Sequence, residues 1–228
     1  MNFYIIRIKD NEHSVKVAER CYKSLTSFYG DKIPECYFDA ITPKDNPIKI
    51  LEEDGITNYD GFIEKYSRWE NCIAAFTSHY SIWKTIVKEN ESAFIFEHDA
   101  VLINSLPITS NFMPHQSLGD IVSVGQPSYG KFNTPASIGI NPLTSKRYFP
   151  GAHAYYLSPK GASILIEGAK KNPGPTDVFI NYNKFNNLQE WYPWSAVARD
   201  SFSTIQNENG CQAKHGYNPE RYKLVQVR

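Results

Sequence analysis

The sequence predicts an α/β fold: an open, mostly parallel sheet with helices on both faces. Three stretches carry that expectation. Residues 3–8, an amphipathic run to Tyr29, and residues 35–41 follow one another as strand, helix and strand, the order of a parallel βαβ unit. Residues 73–87 carry a single apolar stripe at helical spacing, and Ala93-Phe94-Ile95-Phe96 after them is the continuous apolar run of a strand buried on both faces. A second such run, residues 120–125, adds a further buried strand.

Taken in order, residues 3–8 lead into a polar loop, 9–13. Ser14 is placed to cap a helix ending near Tyr29, with Ala18, Cys21, Leu25 and Phe28 on one face and Gly30 as the stop. Residues 42–70 are rich in Pro, Asp, Asn and Gly and read as an irregular connection holding a short helical piece around 48–53. In the next helix Ile73, Phe76, Tyr80, Trp83 and Val87 line up on one side. Residues 126–147 read as a long loop over the site. Ser158 and Pro159 suit the cap and first position of another helix, whose buried stripe is Ala162, Leu165, Ile166 and Ala169. Beyond Asn172, Pro, Gly, Asn and Trp dominate, and residues 211–228 read as a tail.

A chain of 228 residues can bury a full core and is most simply one domain, 1–228, in which 1–125 forms one half and 126–228 the other. Lys plus Arg and Asp plus Glu both total 24, so net charge gives no general attraction to nucleic acid or anionic membrane. Cys21, Cys36, Cys72 and Cys211 lack the spacing of a zinc site or a disulfide framework and read as core thiols of a reducing compartment. No apolar stretch approaches a membrane span, so the expected setting is soluble and cytoplasmic.

The most informative residues are Glu97-His98-Asp99, where the apolar strand breaks off. Acids there are pushed out of the core toward the carboxyl edge of the sheet, where open α/β folds bind ligands. Two carboxylates can hold Mg²⁺ or Mn²⁺, hard ions whose shell substrate phosphates complete; the alternative is an ordinary surface turn. His98 projects to the other side of an extended backbone and reads as a packing or ligand-contact residue.

Ser78-His79 followed by Trp83, then Ala-Phe-Ile-Phe and Glu97-His98-Asp99, resembles glycosyltransferase family 25, the lipooligosaccharide and procollagen galactosyltransferases. Residues 3–8 are similar to that family's opening strand, and Tyr37-Phe38-Asp39-Ala40-Ile41 to its second. Gly151 to Ala162, with Ala154 for a glycine, is similar to its Gly-x-x-Gly-Tyr block, and Pro175-Thr176-Asp177 to its Pro-x-Asp. His98 stands where the family has an acid.

The resemblance implies a GT-A-type nucleotide-binding sheet and a metal-dependent, inverting transfer of a sugar from a nucleotide diphosphate donor, UDP-linked by expectation, to a hydroxyl acceptor. Mn²⁺ or Mg²⁺ is the implied cofactor, held by Glu97 and Asp99, with His215 in the tail as a further ligand unless it is an exposed loop histidine. Ser78, His79, Glu97, His98 and Asp99 are the implied donor-side residues, and His153 and Tyr155 the acceptor-side ones. Asp177 is the first candidate for the base and Asp200 the second, though Asp177 equally suits a helix cap. The acceptor is expected to be a glycan or another small hydroxyl compound. A modified DNA base is the less favoured acceptor, and a non-catalytic nucleotide-sugar-binding module is the alternative from another class.

Overall fold

The computed structural model describes residues 1–63, 67–199, 202–205 and 223–224. The chain opens on strand β1 (Asn2–Arg7), helix α1 (Glu12–Tyr29) and strand β2 (Tyr37–Asp39). Ser14, Ala18, Cys21 and Leu25 are buried at spacings of four and three, so α1 lays one face on the sheet. The helix starts one turn earlier than the sequence suggests. Asn11 is its cap and accepts from the Ser14 amide at 3.0 Å, which frees the Ser14 hydroxyl to bond elsewhere. Gly30 ends the helix with φ 61°, as expected of a residue without Cβ.

The connection after β2 is more ordered than its composition implies. It holds a 3₁₀ turn over Pro43–Asp45, the short helix α2 (Pro47–Glu52) and a second 3₁₀ turn, Asp60–Phe62. Helix α3 (Trp69–Glu89) is buried around much of its circumference and stops at Asn90, which adopts φ 53° and turns its amide back to Ile86 and Val87. Strands β3 (Ala93–Glu97), β4 (Ala100–Leu102), β5 (Ile121–Ser123), β6 (Gly139–Pro142) and β7 (Ala154–Leu157) follow. Helix α4 (Pro159–Lys171) is capped by Ser158, which accepts from the Gly161 amide at 3.0 Å. The short helix α5 (Thr176–Phe179) and strands β8 (Gln189–Tyr192), β9 (Ala196–Ala198), β10 (Phe202–Ser203) and β11 (Lys223–Leu224) complete the described elements.

Seven strands form one sheet in the order β2-β1-β3-β7-β5-β8-β6. Five run in one direction, while β7 and β6 run against their neighbours. Two small ladders, β4 with β9 and β10 with β11, lie outside it. Alternation along β1, β3 and β7 sends Ile6, Ile95 and Tyr155 into a core with α3 and α4, and Ile5, Phe94, Phe96 and Tyr156 into a second core with α1. Helices therefore cover both faces. Each fully buried Leu or Phe in these layers contributes roughly 1.5–3 kcal/mol.

Cys21, Cys36 and Cys72 are buried, and Cys211 lies outside the described residues. Among the described residues no helix is long and apolar enough to cross a membrane.

Candidate active site at the carboxyl edge of the sheet

A cleft opens where β1, β2 and β3 end. Ile6, Ile8 and Ile41 form an apolar wall, Ala74 and Ala75 of α3 face it, and Glu97 and His98 lie at its inner end. Ser78 shapes this wall from beneath. Its buried hydroxyl accepts from the Ile41 amide at 2.8 Å and donates to the Ala74 carbonyl at 3.0 Å, clasping the segment after β2 to α3. Asn71, on the first turn of the same helix, donates to the Thr204 carbonyl at 2.8 Å, which brings the described part of the late chain against the cleft.

His79 is 2% exposed and links the cleft to the core. Its Nε2 lies 3.2 Å from Glu97 Oε1, its Nδ1 lies 2.9 Å from the Tyr155 hydroxyl, and Trp83 Nε1 donates to that hydroxyl at 2.9 Å. Burial holds the imidazole down at about 3 against a weaker upward pull from the charge of Asp177, so it is neutral at ordinary pH. Burial pushes the Glu97 carboxyl up to about 8, and Asp177 adds to the rise. The 30% of the Glu97 side chain open to the cleft lets solvent or a bound cation offset that burial.

Asp99 sits in the turn between β3 and β4, its carbonyl accepting from the Arg199 amide at 3.0 Å. Its Oδ1 is buried without a hydrogen-bond partner among the described residues. Burial and the neighbouring Glu97 raise its carboxyl to about 6, while His153 and Arg20 oppose the rise. His153 enters from the start of β7 and is 2% exposed, with neither ring nitrogen partnered among the described residues. It fits only because position 125 is glycine, since a Cβ there would stand 2.6 Å from its Nε2.

Asp177, on α5, faces the same region, as its effect on both His79 and Glu97 shows. Its Oδ2 accepts from the Tyr129 hydroxyl at 2.6 Å and its Oδ1 from the Val178 amide at 2.9 Å. Tyr129 belongs to the loop expected to cover the site. Lys146 ties that loop down, donating to the Tyr129 carbonyl and lying 4.7 Å from the centre of the Tyr129 ring.

Residues 1–134, more than half of the chain, match the family described as Glycosyltransferase family 25 (LPS biosynthesis protein). The chain belongs to glycosyltransferase family 25. A search of curated proteins finds no significant match. Membership makes the chain a glycosyltransferase, with a nucleotide sugar and an acceptor as its partners in general terms. The matched region contains the cleft wall, the Ser-His helix and Glu97-His98-Asp99, whereas His153, Tyr155 and Asp177 lie beyond it.

In this family 25 chain the fold gathers most of the residues singled out in the sequence. Ser78 and His79 are beneath the cleft, Glu97 and His98 on it, Asp99 and His153 beside it, and Asp177 within electrostatic reach of Glu97. His98 turns to α1, its Nδ1 2.7 Å from the Ser14 hydroxyl, on the opposite side from the Glu97–His79 contact. Tyr155, expected at the acceptor side, is fully buried with its hydroxyl shared by Trp83 and His79. Asp177 is not a helix cap, since Pro175 holds that position. Asp200 and His215 lie outside the described residues.

Tyr129 is the residue sequence reasoning passed over: a Tyr in a Pro-Ser-Tyr-Gly loop carries no signal of its own, and only the fold brings it to Asp177. Among the described residues no three His, Cys, Asp or Glu side chains are grouped to hold an ion by themselves. Glu97 lines the cleft, and Asp99, whose buried Oδ1 has no hydrogen-bond partner among the described residues, stands two residues on; carboxylates of this kind suit a hard cation, which takes one or two of them and completes its shell from phosphate and water.

Proposed function

We propose that this family 25 enzyme transfers a sugar from a UDP-linked donor to a carbohydrate hydroxyl, with inversion, on a GT-A-type sheet and with Mn²⁺ or Mg²⁺. The observation that carries this reading is Glu97 on the cleft at the carboxyl edge, with Asp99 two residues on and Asp177 close enough for its charge to raise the Glu97 carboxyl. The apolar wall of Ile6, Ile8 and Ile41 suits the face of a base, and the carboxylates suit a cation riding on the donor diphosphate. When bound, that ion neutralises charge on the departing diphosphate.

The chain's own residues do the rest. Glu97 and Asp99 hold the donor end; Asp177 takes the proton of the acceptor hydroxyl as its oxygen bonds the anomeric carbon and the diphosphate leaves. Tyr129 fixes the Asp177 rotamer through Oδ2. The first 125 residues thus serve the donor, and the later half serves the acceptor. Lys146, occupied by Tyr129, is withdrawn from the basic surface a nucleic-acid acceptor would use.

The test is release of nucleoside diphosphate from a panel of nucleotide sugars, with and without Mn²⁺ and with glycan acceptors. Release that needs both the ion and a carbohydrate supports the proposal. Donor binding without turnover on any acceptor would favour the binding module.

A further inference from the structure

We infer that Trp83, Tyr155 and His79 form a one-way hydrogen-bond chain whose task is to position Glu97 as a one-oxygen ligand. This rests on the reading of Glu97 as a donor-side carboxylate. The direction follows from the chemistry of the links. An indole N–H only donates, so Trp83 Nε1 gives its proton to the Tyr155 oxygen at 2.9 Å. The Tyr155 hydroxyl is fully buried, and His79 Nδ1, 2.9 Å away, is the acceptor left for its proton. A ring nitrogen that accepts carries no proton in the neutral imidazole, so the His79 proton resides on Nε2 and is donated to Glu97 Oε1 at 3.2 Å.

The reverse arrangement is worse at the Tyr155 end. With the proton on Nδ1, the Tyr155 oxygen would receive two donors while its own buried O–H found no acceptor, the loss of a buried hydrogen bond. In the favoured direction every N–H and O–H of the chain has an acceptor, and Oε1 is engaged from behind. The second oxygen, Oε2, is the one left for the cleft. Trp83, Tyr155 and His79 are argued to act through Glu97; they are positioning residues. Trp83 and His79 belong to the Ser-His-x-x-x-Trp run, and their four-residue spacing on α3 sets both on the Tyr155 hydroxyl.

Two measurements on the full chain test this. In protein labelled with ¹⁵N-histidine, long-range ¹H–¹⁵N spectra report the His79 tautomer, assigned by its loss in His79→Gln. A protonated Nε2 with a bare Nδ1 is expected; a protonated Nδ1 or an imidazolium at neutral pH overturns the proposal. Calorimetry of Mn²⁺ in the presence of UDP then reads the effect on Glu97. Tyr155→Phe, which removes one hydroxyl and keeps the ring, should weaken Mn²⁺ binding about fivefold, the equivalent of one hydrogen bond. His79→Leu should lose about tenfold or more, and His79→Gln, whose amide N–H reaches toward Oε1, should recover most of that. Equal losses in Leu and Gln variants that melt like the wild type would overturn the positioning role. Should the wild type bind no Mn²⁺, the metal reading fails by itself, and the tautomer alone decides the chain.

Discussion

Replacing Glu97 by Gln removes one titration and relieves Asp99 of a neighbouring charge, while the amide oxygen still accepts from His79 Nε2. In the metal-free protein the fold favours the protonated acid: the carboxyl rises from an ordinary 4.5 to about 8 through burial and the charge of Asp177. Between those values the folded state holds a proton that the unfolded chain has lost, so stability falls as pH rises and levels off above 8. The full slope is about 1.4 kcal/mol per pH unit. From pH 6 to 8 that gives a ceiling of about 2–3 kcal/mol, and the share of the side chain open to the cleft reduces it to about 1 kcal/mol. His79 works in the opposite sense, since its depressed value makes stability rise by about 0.8 kcal/mol from pH 6 to 8, but both proteins carry it and it cancels in their comparison. Urea unfolding at pH 6 and pH 8 in chelator measures the effect. The wild type should lose about 1 kcal/mol more than Glu97→Gln over that interval, and saturating Mn²⁺ should abolish the difference. A Gln variant with the wild-type pH dependence would refute the reasoning.

Mn²⁺ binding with UDP should fall about tenfold or more in Asp99→Asn, whose Oδ1 is orphaned, and hardly change in His98→Asn, whose ring turns to Ser14; equal losses in calorimetry would contradict that division. Asp177→Asn should keep donor affinity and lower kcat and kcat/KM together by about 10²–10⁴-fold, as steady-state kinetics would read. Near-normal turnover would move the base elsewhere. Duplex DNA should bind no tighter than about 10⁻⁴–10⁻⁶ M at physiological salt, and a tighter affinity that collapses with added salt would make a DNA-modifying enzyme the better reading.

The layered core was legible because its signals are local and periodic. The stripe on α3, the apolar run of β3 and the Ser158-Pro159 start of α4 each need only neighbouring residues to be read. The cap of α1 was misplaced by three residues, since Asn11 and Ser14 are both good caps and only the loop before them decides which side chain meets the amide. The short helical piece expected around 48–53 is helix α2, whereas its flanking 3₁₀ turns were hidden in a Pro- and Asn-rich stretch too short to show a period. Pairings such as β4 with β9 join distant segments and leave no mark in either. The site divides the same way. Glu97 and Asp99 announce themselves by standing at the end of an apolar strand, whereas the bond from Tyr129 to Asp177 joins a loop to helix α5, which nothing in the sequence connects.

Strand β7 has a consequence for how the chain reaches this state. Tyr155 is paired with Ile95 on one side and with Ser123 on the other, and Leu157 with Ala93 and Ile121. The two strands of the earlier half, β3 and β5, therefore meet only through a segment made later. A fragment ending at residue 134 would carry the whole region that matches the family and still leave three bare strand edges, one on β3 and both on β5, each an open row of amides and carbonyls ready to pair with another molecule. Such a fragment should aggregate rather than fold. During synthesis the carboxylate strand must wait for residues 154–157 before its edge is closed, a long-range dependence that slows folding.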